Sequence, residues 1–169
     1  MTYLEIDKAL YNIVMEKYNE CDSRLNEISK ESKSEYKAVM IEREMYMLCN
    51  RAGLMFHVDN PVVRERSLQN RTGITCKIMG SYPKLNEIYN SLSDDDKKIF
   101  IAALQAEIYM RDQIYMNYLV ELEQAKGAGD AKNIFEFGIK VGAVERVFEA
   151  WEEWREKNNV FPGLMGEIA

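Results

Sequence analysis

The feature that most constrains this chain is a long apolar pattern between Ser93 and Lys126, which predicts one helix. Ser93 is a favourable N-cap, because its hydroxyl can accept a hydrogen bond from a backbone N–H that has no partner inside the helix. Three aspartates follow it, where the helix dipole stabilises negative charge. Gly127 is expected to end the helix in the left-handed conformation. Such a helix would be about 50 Å long, which is longer than a small domain needs.

Apolar residues surround this helix on nearly every side and leave only a narrow polar strip. A helix of this kind is enclosed by neighbours rather than laid on a surface. Four helices cannot easily enclose one so long, so the pattern predicts self-association into a homodimer or a higher oligomer. The candidate interface residues are Tyr109, Met116, Gly138, Gly142, Phe161 and Leu164.

Three further long helices are predicted from capping signals and from apolar spacing of three, four and seven residues. Thr2 with Glu5 forms a capping box that begins the first of them. Ser32 with Glu35 has the same spacing and begins the second. The predicted ranges are about 2–29, 32–57 and 130–157.

We therefore predict an all-α fold with one domain over residues 1–169, a bundle of four long helices arranged as two hairpins. Glycines within a helix favour the close approach of a neighbour. Gly138 and Gly142 in the last helix therefore predict close packing within the bundle, or the approach of another backbone. The predicted segments are a first hairpin (1–58), a basic connector with short helices (59–92), a second hairpin (93–158) and an apolar tail (159–169).

The connector is predicted to be irregular, because prolines and glycines interrupt it. Pro61 could begin a short helix. A few extended residues are possible near 74–79, and a helical turn or two is expected from Lys84 to Leu92. Residues 68–75 resemble the turn of the helix-turn-helix in phage-repressor and resolvase modules. Gly80 and Pro83, however, interrupt the recognition helix that should follow.

The connector also holds the chain's local excess of positive charge, five basic residues against one acidic residue between Pro61 and Lys84. Arginine forks beside hydroxyl groups suit a phosphate or a carboxylate. One interpretation is a site for a small, nucleotide-like anion; the other is a solvated loop whose arginines pair with the acidic bundle. The candidate ligand-binding residues are Arg64, Arg66, Arg71, Lys77, Tyr82 and Lys84.

Motifs for catalysis and metal binding are weak. His57 is the single histidine, so the paired Glu-x-x-His motif of di-iron bundles cannot be formed. The Glu-x-x-Glu pairs at 149–152 and 153–156 lack the downstream Glu-x-x-Asp of helical nucleotide pyrophosphohydrolases. Cys21 and Cys49 lie on apolar faces that raise a thiol pKa, whereas Cys76 lies in the connector. We predict no enzyme, no cofactor and no metal.

The chain has a formal net charge of −6, three cysteines without CxxC spacing and no apolar run long enough for a bilayer span. These features predict a cytoplasmic protein that binds neither membrane nor nucleic acid. The expected function is a non-enzymatic interaction protein, such as a bacterial or phage accessory protein or inhibitor, that binds a macromolecular partner. The alternative is a protein that binds or sequesters a small anionic ligand through the basic connector.

Overall fold

The computed structural model describes residues 1–29, 31–53 and 61–164, except for the side chains of residues 51–53, 64 and 106. The chain is all-α, as predicted, and no strand occurs in the described ranges. A π-helical turn at Arg111–Tyr115 joins two helical segments into one continuous rod. When this rod is counted once, the described ranges contain six helices, whereas four long ones were predicted. They are α1 (Tyr3–Glu27), α2 (Lys33–Gly53), α3 (Pro61–Met79), α4 (Pro83–Ser91), α5 (Asp94–Met110), which continues through the π turn into α6 (Met116–Ala128), and α7 (Ala131–Asn158).

Two of the predicted helix starts are confirmed by their capping bonds. The Thr2 backbone N–H donates to Glu5 Oε2 at 2.6 Å, and the Glu5 N–H donates to Thr2 Oγ1 at 3.4 Å. Ser93 Oγ accepts from the Asp96 N–H at 3.2 Å. Caps can be predicted from sequence because both partners lie within one helical turn.

The predicted end of the long helix at Gly127 is wrong. The helix continues to Ala128, and the residue in the left-handed conformation is Gly129, with φ +67°. The next helix then begins at once, because Asp130 accepts a hydrogen bond from the Asn133 N–H at 3.3 Å. Gly127 and Gly129 both carry the glycine signal for a helix end. The helix ends at Gly129, and the Asp130 cap begins the next helix directly after it.

The irregular connector is also a wrong prediction, since α3 is continuous from Pro61 to Met79 and Gly73 lies inside it. The extended residues near 74–79 and the helix-turn-helix turn are therefore both excluded. Among the described side chains of α3, the buried ones are Leu68, Arg71, Thr75 and Met79. Two of these four residues are polar, so the buried stripe does not stand out as an apolar pattern. Helix α3 includes Pro61, the first residue described after the gap, and is longer than the short helix predicted there. The short helix α4 is confirmed.

Helix α5 lies at the centre of the bundle and is almost completely buried from Phe100 to Met110. Helices α1, α2, α3 and α7 pack around it. Because α3 supplies an additional wall, the first half of this helix is enclosed within the chain, and the expected excess of uncovered apolar surface is absent there. The exposed apolar side chains of the rod lie in α6, at Met116 (47% exposed) and Val120 (51% exposed).

The segment after α7 folds back onto the core, although its apolar residues were predicted to form an interface. Val160 and Leu164 are buried. The Phe161 ring lies 5.3 Å from the Phe100 ring in an edge-to-face contact. Phe161 and Leu164 therefore stabilise the chain's own core. His57 and residues 165–169 of the predicted apolar tail lie outside the described residues.

No helix in the described ranges combines the length and the apolar character that a membrane crossing requires.

Candidate functional site

Arg71, the central residue of the predicted anion site, faces inward. Its Nη2 lies 2.6 Å from Asp7 Oδ1 and its Nη1 donates to Asp7 Oδ2 at 2.8 Å, so the two side chains form a bidentate pair. Its Nε donates to Gln105 Oε1 at 3.3 Å. The pair is buried and joins α1, α3 and α5. The Arg71 guanidinium is therefore bound by the protein rather than presented to an external anion.

The other predicted ligand-binding residues do not converge. The Tyr82 hydroxyl donates to Asp112 Oδ1 at 2.6 Å. Arg66 and Lys77 are both exposed on α3. They lie three helical turns apart, about 16 Å along the axis, which is too far to hold one small anion. Lys84 is exposed on the first turn of α4. The Arg64 side chain lies outside the part of the chain that is described.

The π turn is the structural irregularity of the central rod. The Met116 N–H bonds to the Arg111 carbonyl, five residues back rather than four. The Asn117 side-chain amide donates to the Gln113 carbonyl at 2.8 Å. Single π turns within α-helices are frequent at functional sites. Residues of the turn line two surface depressions with opposite chemistry.

The first depression, which we name the acidic cleft, is about 430 Å³ in volume. A buried ion network forms its floor. Arg155 Nη2 lies 3.2 Å from Glu107 Oε2 and also bonds Glu152. Arg111 Nη2 lies 3.3 Å from the other Glu107 oxygen, and its guanidinium carbon lies 4.5 Å from the centre of the Phe148 ring. The residues that line the cleft are Glu107, Arg111, Phe148, Glu149, Glu152, Glu153, Glu156 and Gly163.

Burial raises the pKa of Glu107, and the nearby Arg155 and Arg111 oppose this only in part. Arg155 also donates to the Phe161 carbonyl at 2.7 Å, and Glu152 Oε1 accepts from the Gly163 N–H at 2.7 Å. The network therefore fastens the segment after α7 to the core. No group of three metal-binding side chains occurs among the described residues. The cleft is best explained as a structural network with a solvated acidic rim.

The second depression, which we name the aromatic groove, has a volume of about 850 Å³. It follows the outer side of the rod from Tyr109 to Glu121, which is about 18 Å by helical rise. One residue in its lining, Glu121, carries a charge, and two carry side-chain amides. The residues that line it are Leu48, Tyr109, Gln113, Ile114, Asn117, Tyr118, Val120, Glu121 and Phe137.

The rings of the aromatic groove already hold one cation. Lys140 Nζ lies 5.0 Å from the centre of the Tyr118 ring and 5.2 Å from that of Phe137. The rings themselves are 6.0 Å apart. Ring faces attract ammonium and guanidinium groups because of their quadrupole. The chain's own Lys140 therefore supplies the cation at the end of the groove near α7.

A third depression, about 610 Å³ in volume, lies between α1, α2 and α7. Gly138 and Gly142 line it. A Cβ added at Gly138 would meet no atom within 4 Å, and one at Gly142 would meet Arg146 Nη1 at 3.5 Å. The predicted close packing at these glycines within the bundle is therefore wrong.

Glu42 lies at the floor of this third depression and is the centre of a polar network. It accepts hydrogen bonds from Arg24 Nη1 at 2.9 Å, from the Tyr46 hydroxyl at 3.1 Å and from Cys21 Sγ at 3.5 Å, and it pairs with Arg146. Burial acts to raise the pKa of Glu42, but Arg146 and the hydrogen bonds outweigh it, so this pKa lies below its ordinary value. The network locks α1, α2 and α7 together.

The sequence contained a weak signal for these networks. Glu107 lies outside the narrow polar strip of the long helix, and Arg155 follows Trp151 by one turn on a buried face. A charged residue at a position where spacing predicts burial indicates an internal ion pair. The sequence does not indicate which residue such a charged side chain pairs with.

Of the candidate interface residues, Met116 is exposed and Tyr109 lines the aromatic groove, so these two lie on or beside one surface. No protein-family model matches this chain, and no curated protein or solved structure shows a significant similarity to it.

Proposed function

We propose that this protein is a non-enzymatic interaction protein that binds another protein in the aromatic groove. The observation that carries the proposal is the composition of that groove. Three aromatic rings, three aliphatic side chains and two amides accompany a single charged residue over an 850 Å³ depression. Depletion of charge and enrichment of aromatic residues characterise the buried centre of protein interfaces.

The exposed apolar residues of α6 extend this surface. Met116 and Val120 lie one turn apart on the rod, and both are about half exposed. Helix faces that are exposed to water normally carry charged or polar residues. Val120 also lines the groove, so Met116, one turn before it on α6, lies beside the groove.

A small-anion site in the connector is less well supported by the geometry. Arg71 is engaged by Asp7, and Tyr82 donates to Asp112. The exposed cations Arg66 and Lys77 are too far apart to act on one phosphate. The aromatic groove, in contrast, brings its lining residues together from α2, the rod and α7.

The proposal is tested by affinity capture from a bacterial lysate with three immobilised forms of the full chain. These are wild type, Val120→Lys in the groove and Ile74→Lys on the exposed face of α3 as the matched control. We expect a set of proteins that wild type and Ile74→Lys retain equally and that Val120→Lys retains at least about tenfold less, because an ammonium group in an apolar contact costs binding free energy. Calorimetry with the purified partner then confirms direct binding.

Two outcomes would contradict the proposal. The first is that wild type retains nothing above a blank resin. The second is that Val120→Lys retains the same proteins as wild type in the same amounts. Unfolding curves of both variants establish that a loss of capture is not a loss of folding.

A further inference from the structure

We propose that the third depression, between α1, α2 and α7, binds a small organic carboxylate that has an apolar body. This site is separate from the aromatic groove and does not depend on the function proposed for that groove. Three features of the described residues support it: arginine N–H groups without a protein partner, the charge of the lining, and open space beside an exposed ring.

Glu42, at the floor of the depression, has no capacity for further hydrogen bonds. Its Oε2 accepts from Arg24 Nη1 at 2.9 Å and from Cys21 Sγ at 3.5 Å. Its Oε1 accepts from the Tyr46 hydroxyl at 3.1 Å and from Arg146. An ionised carboxylate offers about four acceptor positions, so those of Glu42 are all used. The remaining N–H groups of the two arginines need another acceptor.

Both arginines keep donors that the protein does not use. Arg24 bonds Glu42 through Nη1, and no described residue accepts from its Nε or Nη2. Arg146 bonds Tyr46 through Nε at 3.2 Å and Glu42 through Nη2, and no described residue accepts from its Nη1. Both side chains line the depression and are about half exposed. Arginine forks with free N–H groups suit the two oxygens of a carboxylate.

The charge of the lining fits an anion with a single negative charge. Arg24 and Arg146 carry two positive charges, and Glu42 carries the one negative charge of the lining. The lining therefore has a net charge of +1, in a chain whose net charge is −6. A carboxylate matches this charge, whereas a phosphate monoester, with a charge of about −1.5 to −2 at neutral pH, exceeds it.

The charged residues around the depression confine this attraction to the lining itself. Lys37 Nζ lies 2.8 Å from Glu136 Oε1, so that pair between α2 and α7 adds no net charge. Glu20 and Glu27 are exposed on α1, one turn before and one turn after Arg24, and neither forms an ion pair with it. These glutamates reduce the attraction for an anion at a distance. The ligand is therefore held by direct hydrogen bonds to the arginines.

The rest of the lining is apolar and leaves room for the body of the ligand. It consists of Ala38, Phe135, Ile139, Gly138 and Gly142. Phe135 is 41% exposed, and a Cβ added at Gly138 would meet no atom within 4 Å. A volume of about 610 Å³ lies in the usual range of small-molecule sites. An apolar body that covers the Phe135 ring removes apolar surface from water, which favours binding.

The test is an NMR titration of the isotope-labelled full chain with three probes that share one ring system. They are naphthalene carboxylate, the neutral naphthalene carboxamide and the cationic naphthylmethylamine. We expect the carboxylate to bind with a Kd of about 1 mM and to shift the backbone amides of Ala38 and of residues 138–142. The other two probes should bind at least about fivefold more weakly, because neither forms charge-assisted hydrogen bonds with the arginines.

Two variants locate the binding site. Arg24→Gln should weaken binding of naphthalene carboxylate by at least about fivefold, whereas Arg66→Gln, on the exposed face of α3, should leave it unchanged. Gly138→Leu should weaken it by at least about fivefold as well, because the new side chain fills the space for the ring. This second variant leaves both arginines in place. Unfolding curves of each variant establish that it is folded.

Equal binding of the carboxylate and the carboxamide, or unchanged binding to Arg24→Gln, would overturn the proposal. So would shifts confined to Tyr118 and Phe137, because the probe would then lie in the aromatic groove beside Lys140. An equal response to sodium acetate or sodium phosphate would show that the apolar body has no role, which also contradicts the proposal. Val120→Lys should leave binding unchanged, so the result is distinguishable from that of the capture experiment.

Discussion

Arg155 Nη2 lies 3.2 Å from Glu107 Oε2, and the two side chains are 0% and 1% exposed. Without Arg155, the buried Glu107 keeps only Arg111, which is about a third exposed, and its charge is poorly compensated. We therefore expect Arg155→Met to lower the free energy of unfolding by about 3–5 kcal/mol. Urea unfolding at pH 7 measures it. Lys157→Met, exposed on the same helix, is the control and should change it by less than about 0.5 kcal/mol. A loss below about 1 kcal/mol for Arg155→Met would show that the pair is not formed.

Glu107 should also give the protein a specific pH dependence. Burial raises the pKa of Glu107 above its ordinary value of 4.5, in spite of Arg155 and Arg111. The folded state then binds more protons than the unfolded state between the two pKa values, so this side chain's contribution to stability falls as the pH rises above 4.5.

We expect the difference in unfolding free energy between wild type and Glu107→Gln to decrease as the pH rises from 4.5 upward. Urea unfolding over a pH series measures this difference, and Glu156→Gln on the surface controls for the loss of one acidic side chain. A difference that grows with pH would mean that Arg155 and Arg111 hold this pKa low instead. The pKa of Glu42 is lowered and that of Glu107 is raised, so the two residues have opposite effects on the pH dependence of stability. The comparison of wild type with Glu107→Gln isolates the contribution of Glu107.

Arg71 is expected to be a structural residue of the α1–α3–α5 junction. Its two hydrogen bonds to Asp7 are 2.6 and 2.8 Å long. Arg71→Met should lower the free energy of unfolding by about 3–5 kcal/mol, whereas the exposed Arg66→Met should change it by less than about 0.5 kcal/mol. Thermal and urea unfolding of both variants provide the measurement. Equal effects of the two substitutions would argue against the buried pair.

These cases show which parts of the structure the sequence could predict. The starts at Thr2 and Ser93 were predictable because a cap depends on residues within one turn. The pairs of Asp7 with Arg71 and of Glu107 with Arg155 join residues that are 64 and 48 positions apart. Spacing rules contain no information about such partners. An arginine that serves an internal pair therefore has the same appearance in sequence as one that binds a ligand.

Helix α3 shows a second limit. Apolar periodicity predicts a helix when its inward face is apolar, but Arg71 and Thr75 are two of the four buried side chains described in α3. The aromatic groove was only partly predictable for a related reason. Tyr109 and Met116 belong to the apolar pattern of one helix, whereas Leu48 and Phe137 reach the groove from other helices.

Gly138 offers a substitution that should increase stability. It lies within α7, and a Cβ there would meet no atom within 4 Å. Gly138→Ala should therefore raise the free energy of unfolding by up to about 1 kcal/mol, because alanine favours the helix. Gly129→Ala is the matched contrast: φ is +67° there, so alanine should cost about 1–2 kcal/mol. Chemical unfolding at two protein concentrations measures both. Destabilisation by Gly138→Ala at high concentration alone would indicate a contact between copies at this glycine.

The three cysteines should differ in reactivity toward a disulfide reagent such as DTNB. Cys21 and Cys49 are buried, and burial raises the pKa of each thiol to about 12, so neither supplies much thiolate at neutral pH. Cys76 is exposed on α3. We expect one thiol per chain to react quickly in the native protein, and all three to react in concentrated guanidinium chloride. Cys76→Ser should remove the fast reaction, and Cys49→Ser should leave it intact. Fast reaction of two or more thiols in the native state would contradict the burial of Cys21 between α1 and α2, where its Sγ donates to Glu42.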